Sequence, residues 1–147
     1  MSYLQAISDF QRARRRAATE QVMARLRRRS VDLLPFEEVR GKLKGKAGRS
    51  LGLQEIPLDA IVGSVGRYVD FTRSFLPRQD SDAERWARVQ LAMENLGGLP
   101  PIEVYKIGDA YFVRDGNHRV SVARQHNFPT IGAYVWECET PVPLEPD

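Results

Sequence analysis

Apolar residues in the second half of the chain change their spacing from strand-like to helical and back. Short apolar runs predict strands at Ile102–Ile107, Ala110–Arg114 and Thr130–Trp136. Gly108-Asp109 predicts a tight hairpin turn between the first two of these strands. From Val120 onward the apolar residues fit one helical face better than strict alternation. This half therefore predicts a β-hairpin, a helix and a closing strand.

Two longer helices are predicted upstream of the hairpin. The first covers residues 2–29, and the second begins at the capping box Ser81-x-x-Glu84 and ends at Gly97-Gly98. The expected buried stripe of the first helix consists of Tyr3, Leu4, Ile7, Phe10, Ala17, Val22, Met23 and Leu26. The expected buried stripe of the second consists of Trp86, Val89, Met93 and Leu96.

The segment between these two helices is predicted to be less regular. Residues 30–52 show no clear period apart from one helical turn after Pro35, and the glycines and lysines of residues 41–50 predict a flexible basic linker. These glycines do not form G-x-x-x-x-G-K-[ST], which excludes a P-loop. Leu53–Pro57 predicts the first core strand, and Leu58–Val62 predicts a short helical turn.

The order of these elements predicts the fold class and the division of the chain. Strand, helices, hairpin, helix and strand in succession argue for an α+β fold rather than for alternating βαβ units. The long basic N-terminal helix and its linker would occupy residues 1–50, the α+β domain residues 51–140, and an extended tail residues 141–147.

Charge separates the two parts of the chain. Residues 1–50 carry 13 Lys/Arg and 5 Asp/Glu, a net +8, whereas the remainder carries 9 and 14, a net −5. No apolar run approaches the ~20 residues of a membrane span. The N-terminus lacks a secretory hydrophobic segment, and the lone Cys138 cannot form an internal disulfide. A cytoplasmic protein without a membrane partner is therefore expected.

The arginines of the first helix have three interpretations. As a nucleic-acid site, Arg12, Arg15, Arg16, Arg27 and Arg28 would bind DNA phosphates through their guanidinium groups. Alternatively, they form the solvated face of an amphipathic helix that packs on its own domain or on a second copy, which would give a homodimer. A third interpretation is contact with an anionic membrane surface.

The stretch from Tyr111 to Gln125 carries the clearest chemistry. A strand that ends at Gly116 and passes directly into a helix directs several unpaired N–H groups toward one point. The helix dipole favours negative charge at that point, and His118 and Arg119 lie on the first turn. The sequence therefore predicts an anion site, with phosphate as the expected anion.

Three segments of residues 53–137 together resemble the ParB/sulfiredoxin-like superfamily. Ile56-Pro-Leu-Asp-Ala-Ile61 is similar to the first strand and turn of the ParB N-terminal domain. Leu96-Gly-Gly-Leu-Pro-Pro-Ile-Glu-Val104 resembles the segment that joins a helix to the hairpin. Asp115-Gly-Asn-His-Arg119 stands where ParB proteins carry a glycine-acid-arginine-arginine box and sulfiredoxins carry glycine-cysteine-histidine-arginine.

The resemblance implies a ParB/sulfiredoxin-like domain, a small mixed sheet with flanking helices, and a nucleotide ligand, CTP or ATP, with Mg²⁺. By position, Gly116, Asn117, His118 and Arg119 would form the phosphate cradle, and Arg67 would close on it from the opposite side. Asn117 occupies the place of the sulfiredoxin nucleophilic cysteine, so sulfiredoxin chemistry is not expected.

Several residues of the cradle have two interpretations. Asp115 would cap the helix or, alternatively, hold Mg²⁺ or act as a base. His118 would contact phosphate, serve as a general acid or base, or form a hydrogen-bonded scaffold. Asp115 and His118 would be the catalytic residues if the domain were a phosphotransferase, a nucleotide hydrolase or a metal-dependent nuclease. Arg124 is expected to be a solvated helix residue or to line the groove beside the phosphate cradle. No tetrahedral metal pattern is present in the sequence.

Overall fold

The computed structural model describes residues 3–42, 44–45, 48–66, 69–95 and 97–140. The described helices are α1 (Tyr3–Leu26), α2 (Phe36–Lys42), α3 (Ala83–Asn95) and α4 (Asn117–Gln125). The described strands are β1 (Leu34–Pro35), β2 (Arg49–Pro57), β3 (Ile61–Ser64), β4 (Ile102–Ile107), β5 (Ala110–Asp115) and β6 (Thr130–Cys138). The expectations for Arg67, Leu96 and the tail at residues 141–147 lie outside the described residues.

The six strands form one mixed sheet in the order β1-β3-β5-β4-β6-β2. β4 and β5 are the predicted antiparallel hairpin, and β6 returns parallel to β4. β3 pairs parallel to β5, β1 pairs parallel to β3, and β2 closes the other edge antiparallel to β6. The predicted α+β class, with a small mixed sheet and flanking helices, is confirmed.

The sheet is covered on both faces because successive residues of a strand point to opposite sides. Val113 of β5 packs in a cluster with Val120 of α4, whereas its neighbour Phe112 packs with Phe36 of α2. All four side chains are buried. α4 therefore rests on one face of the sheet, close to the end of β5, and α2 covers the other face.

A second helical layer lies over α4. α1 packs against α3, and the rings of Phe10 and Trp86 meet edge to face with centroids 5.8 Å apart. The buried residues of α1 are Ala6, Phe10, Ala13 and Ala17. The predicted buried stripe of α1 is wrong for most of its members. The face of α1 that packs against α3 carries mainly alanines, because their small side chains let the two helices approach closely. The members that the structure leaves exposed are Tyr3, Leu4, Val22, Met23 and Leu26.

Three local expectations are also wrong. Residues 30–52 are more regular than expected, because the helical turn predicted after Pro35 is present as α2 and the segment also contains β1 and the start of β2 at Arg49. Leu58–Val62 divides into a 3₁₀ turn, Leu58–Ala60, and the first residues of β3. The capping box is absent because a 3₁₀ turn, Asp80–Asp82, precedes α3, and the Ser81 hydroxyl instead contacts the Gln79 carboxamide at 3.3 Å.

None of the helices within the described ranges combines the length and the apolar character that crossing a bilayer requires.

Candidate functional site

The turn between β5 and α4 is built on a glycine in the left-handed region. Gly116 has φ 115° and ψ 27°, and α4 begins at the next residue. A Cβ atom at Gly116 would lie 2.5 Å from Cγ2 of Ile102, which is fully buried. Only glycine avoids both the backbone strain and this contact. The turn therefore brings the first N–H groups of α4, which lack acceptors within the helix, directly against the end of the sheet.

A cleft of about 300 Å³ opens beside this turn. Its second wall comes from α3 and from the loop that follows β3. The lining residues are Gly66, Arg85, Val89, Arg114, Asp115, Gly116, Asn117, His118 and Arg119. Three arginines and one carboxylate thus surround the N-terminus of α4, and both the side chains and the helix dipole favour an anion there.

Arg119 lines the cleft, but its guanidinium is already engaged by protein groups. Nη2 donates to Oδ2 of Asp115 at 3.0 Å, and Nη1 donates to the carbonyl of Pro101 at 2.7 Å. These bonds tie α4 to the segment that enters β4. The expectation that Asp115 caps α4 is wrong, because Gly116 is the N-cap residue and no side chain bonds to the cap.

His118 lies in the wall of the cleft rather than at its mouth. The residue is 5% exposed, and its Nε2 lies 3.2 Å from Oδ1 of the buried Asp82. The imidazole also meets the ring of Phe71 edge to face at 5.2 Å. Of the roles expected for His118, this geometry favours the scaffold, since the contact joins α4 to the turn before α3.

Asn117 braces the loop on the opposite side. Its Oδ1 lies 2.9 Å from the hydroxyl of Ser64, and its Nδ2 lies 3.4 Å from the carbonyl of Gly66. The Asn117 side chain therefore holds the end of β3 against α4. Gly66 lines the cleft, whereas the neighbouring Arg67 is outside the described residues.

Sequence reasoning missed two arginines of the cleft. Arg85 is an exposed residue of α3 that forms no ion pair with any residue the structure describes. Arg114 precedes Asp115 on β5, and its guanidinium lies over the ring of Trp136 at 5.1 Å. The position of Arg114 next to Asp115, at the exposed end of β5, is the one sequence signal that could have indicated it. Nothing local marks Arg85, because only the packing of α3 beside α4 brings it to the cleft.

The predicted arginines of the N-terminal helix lie elsewhere. Arg12, Arg15 and Arg16 line a different cleft, between α1 and the C-terminal half of α4, and Arg27 lines a cleft adjoining it. Arg28 follows the end of α1 with φ 55° and lines neither cleft.

Arg124 is not a solvated residue, which was one of the two expectations for it. It lines the same cleft as Arg12, and its Nη1 donates to the carbonyl of Leu58 at 3.2 Å. Burial lowers the pKa of Arg124, although the charges of Asp59 and Glu20 act in the opposite direction. A cation is therefore held partly out of water beside α1.

Within the described residues, no three His, Cys, Asp or Glu side chains are grouped so as to hold a metal ion.

Comparisons with known proteins relate most of the chain to a family. The family model of the ParB N-terminal domain matches residues 44–145, which include the whole β5–Gly116–α4 unit and leave α1 outside. The crystal structure of sulfiredoxin from Arabidopsis thaliana is similar at 20% identity and a TM-score of 0.42, over 56% of this chain and 82% of that chain. The search among curated proteins returned no significant match.

Proposed function

This chain belongs to the ParB N-terminal domain family, and on that premise we propose that it binds a nucleotide by its phosphates at the N-terminus of α4. One observation carries the proposal. The first turn of α4, opened by Gly116, lies in a cleft that also contains Arg85, Arg114 and Arg119. Backbone N–H groups and guanidinium groups that converge on one cleft are typical of phosphate sites.

The charge on the walls supports an anionic ligand. Arg85 is the most available donor, since it is exposed and forms no ion pair within the described residues. Within the described residues, Arg114 forms a long ion pair with Glu103, with 3.7 Å between Nε of Arg114 and Oε1 of Glu103. Arg119 positions the turn through Asp115 and Pro101. The two less engaged arginines would therefore contact phosphate directly, while Arg119 would keep the N–H groups of α4 in place.

Asp115 is suited to be a ligand of a Mg²⁺ ion that would accompany a nucleotide. Its side chain is 66% exposed at the cleft, and Oδ2 is the oxygen that accepts from Arg119. Mg²⁺ is commonly held by one or two carboxylates together with phosphate oxygens and water. The ion would neutralise phosphate charge when bound. Asp115 is the carboxylate of this chain that would hold it.

The same geometry gives less support to catalysis. A general acid or base must reach the reacting group, but His118 is buried against Asp82, and the Asp115 carboxylate would already be shared between Arg119 and the Mg²⁺ ion. We therefore favour nucleotide binding over a phosphotransferase, a nucleotide hydrolase or a nuclease. Retention of intact CTP and ATP after prolonged incubation with the protein and Mg²⁺ is the expected result.

Calorimetric titration with CTP and with ATP, each with and without Mg²⁺, tests the proposal. We expect one of them to bind, and Arg85→Ala to weaken binding about fivefold, as an exposed charge-assisted contact of about 1 kcal/mol would. Arg88→Ala is the matched control, because Arg88 is an exposed arginine of α3 that pairs with Glu84 and does not line the cleft. Absence of binding under all four conditions, or equal losses in both variants, would contradict the proposal.

A further inference from the structure

A basic groove follows α1 on the side away from the N-terminus of α4. It consists of two adjoining clefts of about 560 and 600 Å³ that share Glu20 as a lining residue. The first lies between α1 and the C-terminal half of α4. The second lies between α1 and the segment near Arg73, which donates to the carbonyl of Asp32 at 2.8 Å. The family match begins at residue 44, so one wall of the groove is outside the matched domain.

Arginines dominate both halves of the groove. Arg12, Arg15, Arg16 and Arg124 line the first cleft, and the second cleft adds Arg27, Arg29 and Arg73. Glu20 is the single carboxylate among the described residues that line the two clefts. Such an excess of positive charge along a concave surface attracts an anion with several charges.

The cations of the groove are only partly neutralised by the protein. Arg15 forms no ion pair with a residue that the structure describes, and Arg16 donates to the neutral carboxamide of Gln125 at 2.6 Å. Arg124 donates to a backbone carbonyl, that of Leu58, from a partly buried position. A desolvated guanidinium that faces a cleft and bonds to a neutral carbonyl is well placed to receive an anionic oxygen.

The dimensions of the groove favour a linear polyanion over a small one. Arg12 and Arg27 are 15 residues apart along α1 and the turn that ends it, a rise of about 22 Å at 1.5 Å per residue. That length matches about six phosphates of one strand at 3.4 Å each. None of the described residues that line the groove is aromatic, so the groove offers no platform on which unpaired bases would stack. A concave surface also fits a rod better than a flat bilayer.

We propose that this groove binds the phosphodiester backbone of duplex DNA independently of base sequence, as a site separate from the nucleotide cleft. Arginines along α1 contact successive phosphates, and Arg124 adds a contact from α4. Glu20 lies where the two clefts join, with Oε2 accepting from the hydroxyl of Ser74 at 3.2 Å. Its negative charge opposes a phosphate there, so its removal strengthens binding.

Fluorescence anisotropy with a labelled 24-base-pair duplex of arbitrary sequence tests this site in the full-length chain without nucleotide. Binding is expected to weaken with added NaCl, with a slope of log K against log salt of about −3 to −5, at about 0.9 per neutralised phosphate. Arg15→Gln and Arg124→Gln are each expected to reduce the magnitude of the slope by about 1 and the affinity severalfold. Glu20→Gln is expected to raise the affinity about threefold.

Arg25→Gln is the matched control, because it removes the same charge from an exposed position of α1 that lines neither cleft. Its effect on affinity is expected to remain below about twofold. Flat salt dependence, equal losses in the Arg15, Arg124 and Arg25 variants, or tighter binding of a single strand than of the duplex would overturn the proposal. Because no nucleotide is present, a negative result here leaves the calorimetric test of the α4 cleft unaffected.

Discussion

Replacing Gly116 by alanine perturbs the turn on which the candidate site is built. The new Cβ would lie 2.5 Å from Cγ2 and 3.0 Å from Cβ of Ile102, and 3.3 Å from Cζ of Arg119. Ile102 is fully buried in the main core cluster, so it has little room to move away. The backbone adds a second cost, because φ 115° is a conformation that L side chains rarely adopt.

These two costs set the expected loss of stability. Holding a residue with a side chain at such a φ costs about 1–3 kcal/mol, and forcing a methyl group into packed core costs about 1–3 kcal/mol more. We therefore expect Gly116→Ala to lower the free energy of unfolding by about 2–6 kcal/mol, a large part of the ~5–15 kcal/mol of a typical domain. Urea unfolding followed by tryptophan fluorescence measures the loss, since Trp86 is fully buried.

Alanine substitutions at two glycines after α3 distinguish the cost of the backbone conformation from the cost of the contact with Ile102. Gly97 has φ 73°, and no atom lies within 4 Å of the place that a Cβ would take there, so Gly97→Ala isolates the backbone cost. Gly98 has equal space and no positive φ, so Gly98→Ala is expected to change little. A loss in Gly116→Ala no greater than that in Gly97→Ala would refute the contact with Ile102. A loss near zero would refute the left-handed turn itself.

Two further predictions concern buried groups away from the cleft. Ser121→Ala removes the hydroxyl that accepts from Nε1 of Trp86 at 2.9 Å, so we expect a loss of about 1–3 kcal/mol in urea unfolding. A loss below that of an exposed Ser81→Ala control would contradict this contact. Burial raises the pKa of the Cys138 thiol, so the folded chain keeps this proton to higher pH than the unfolded chain. The stability of the wild type relative to Cys138→Ala should therefore fall as the pH rises from about 7.5 to about 9.5 under reducing conditions, and a constant difference would contradict the raised pKa.

Local signals were sufficient to predict the elements on either side of the turn at Gly116. The strand at Ala110, the glycine at 116 and the change of period at Val120 all act within a few residues, so the hairpin and α4 were predictable. The buried face of α1 was not fully predictable, because Ala6 and Ala13 carry too little apolar weight to outrank leucine and methionine in a sequence pattern. Their burial follows from close packing against α3.

The candidate site was predictable only where its residues are contiguous. The box from Asp115 to Arg119 does line the cleft, yet the pairing of His118 with Asp82 joins residues 36 positions apart. Arg85 likewise enters the cleft through the packing of α3 beside α4. Contacts of this kind depend on tertiary structure, and neither charge nor periodicity in one sequence specifies them.

Titration of the ¹⁵N-labelled chain with CTP and with ATP, each with Mg²⁺, tests the central claim most directly by reporting each backbone amide. The account predicts that one nucleotide produces its largest amide shifts at Gly116, Asn117, His118 and Arg119, because phosphate would accept from the first turn of α4. Shifts confined to other residues, such as the arginines of α1, or no shifts at saturating concentrations of either nucleotide, would contradict it.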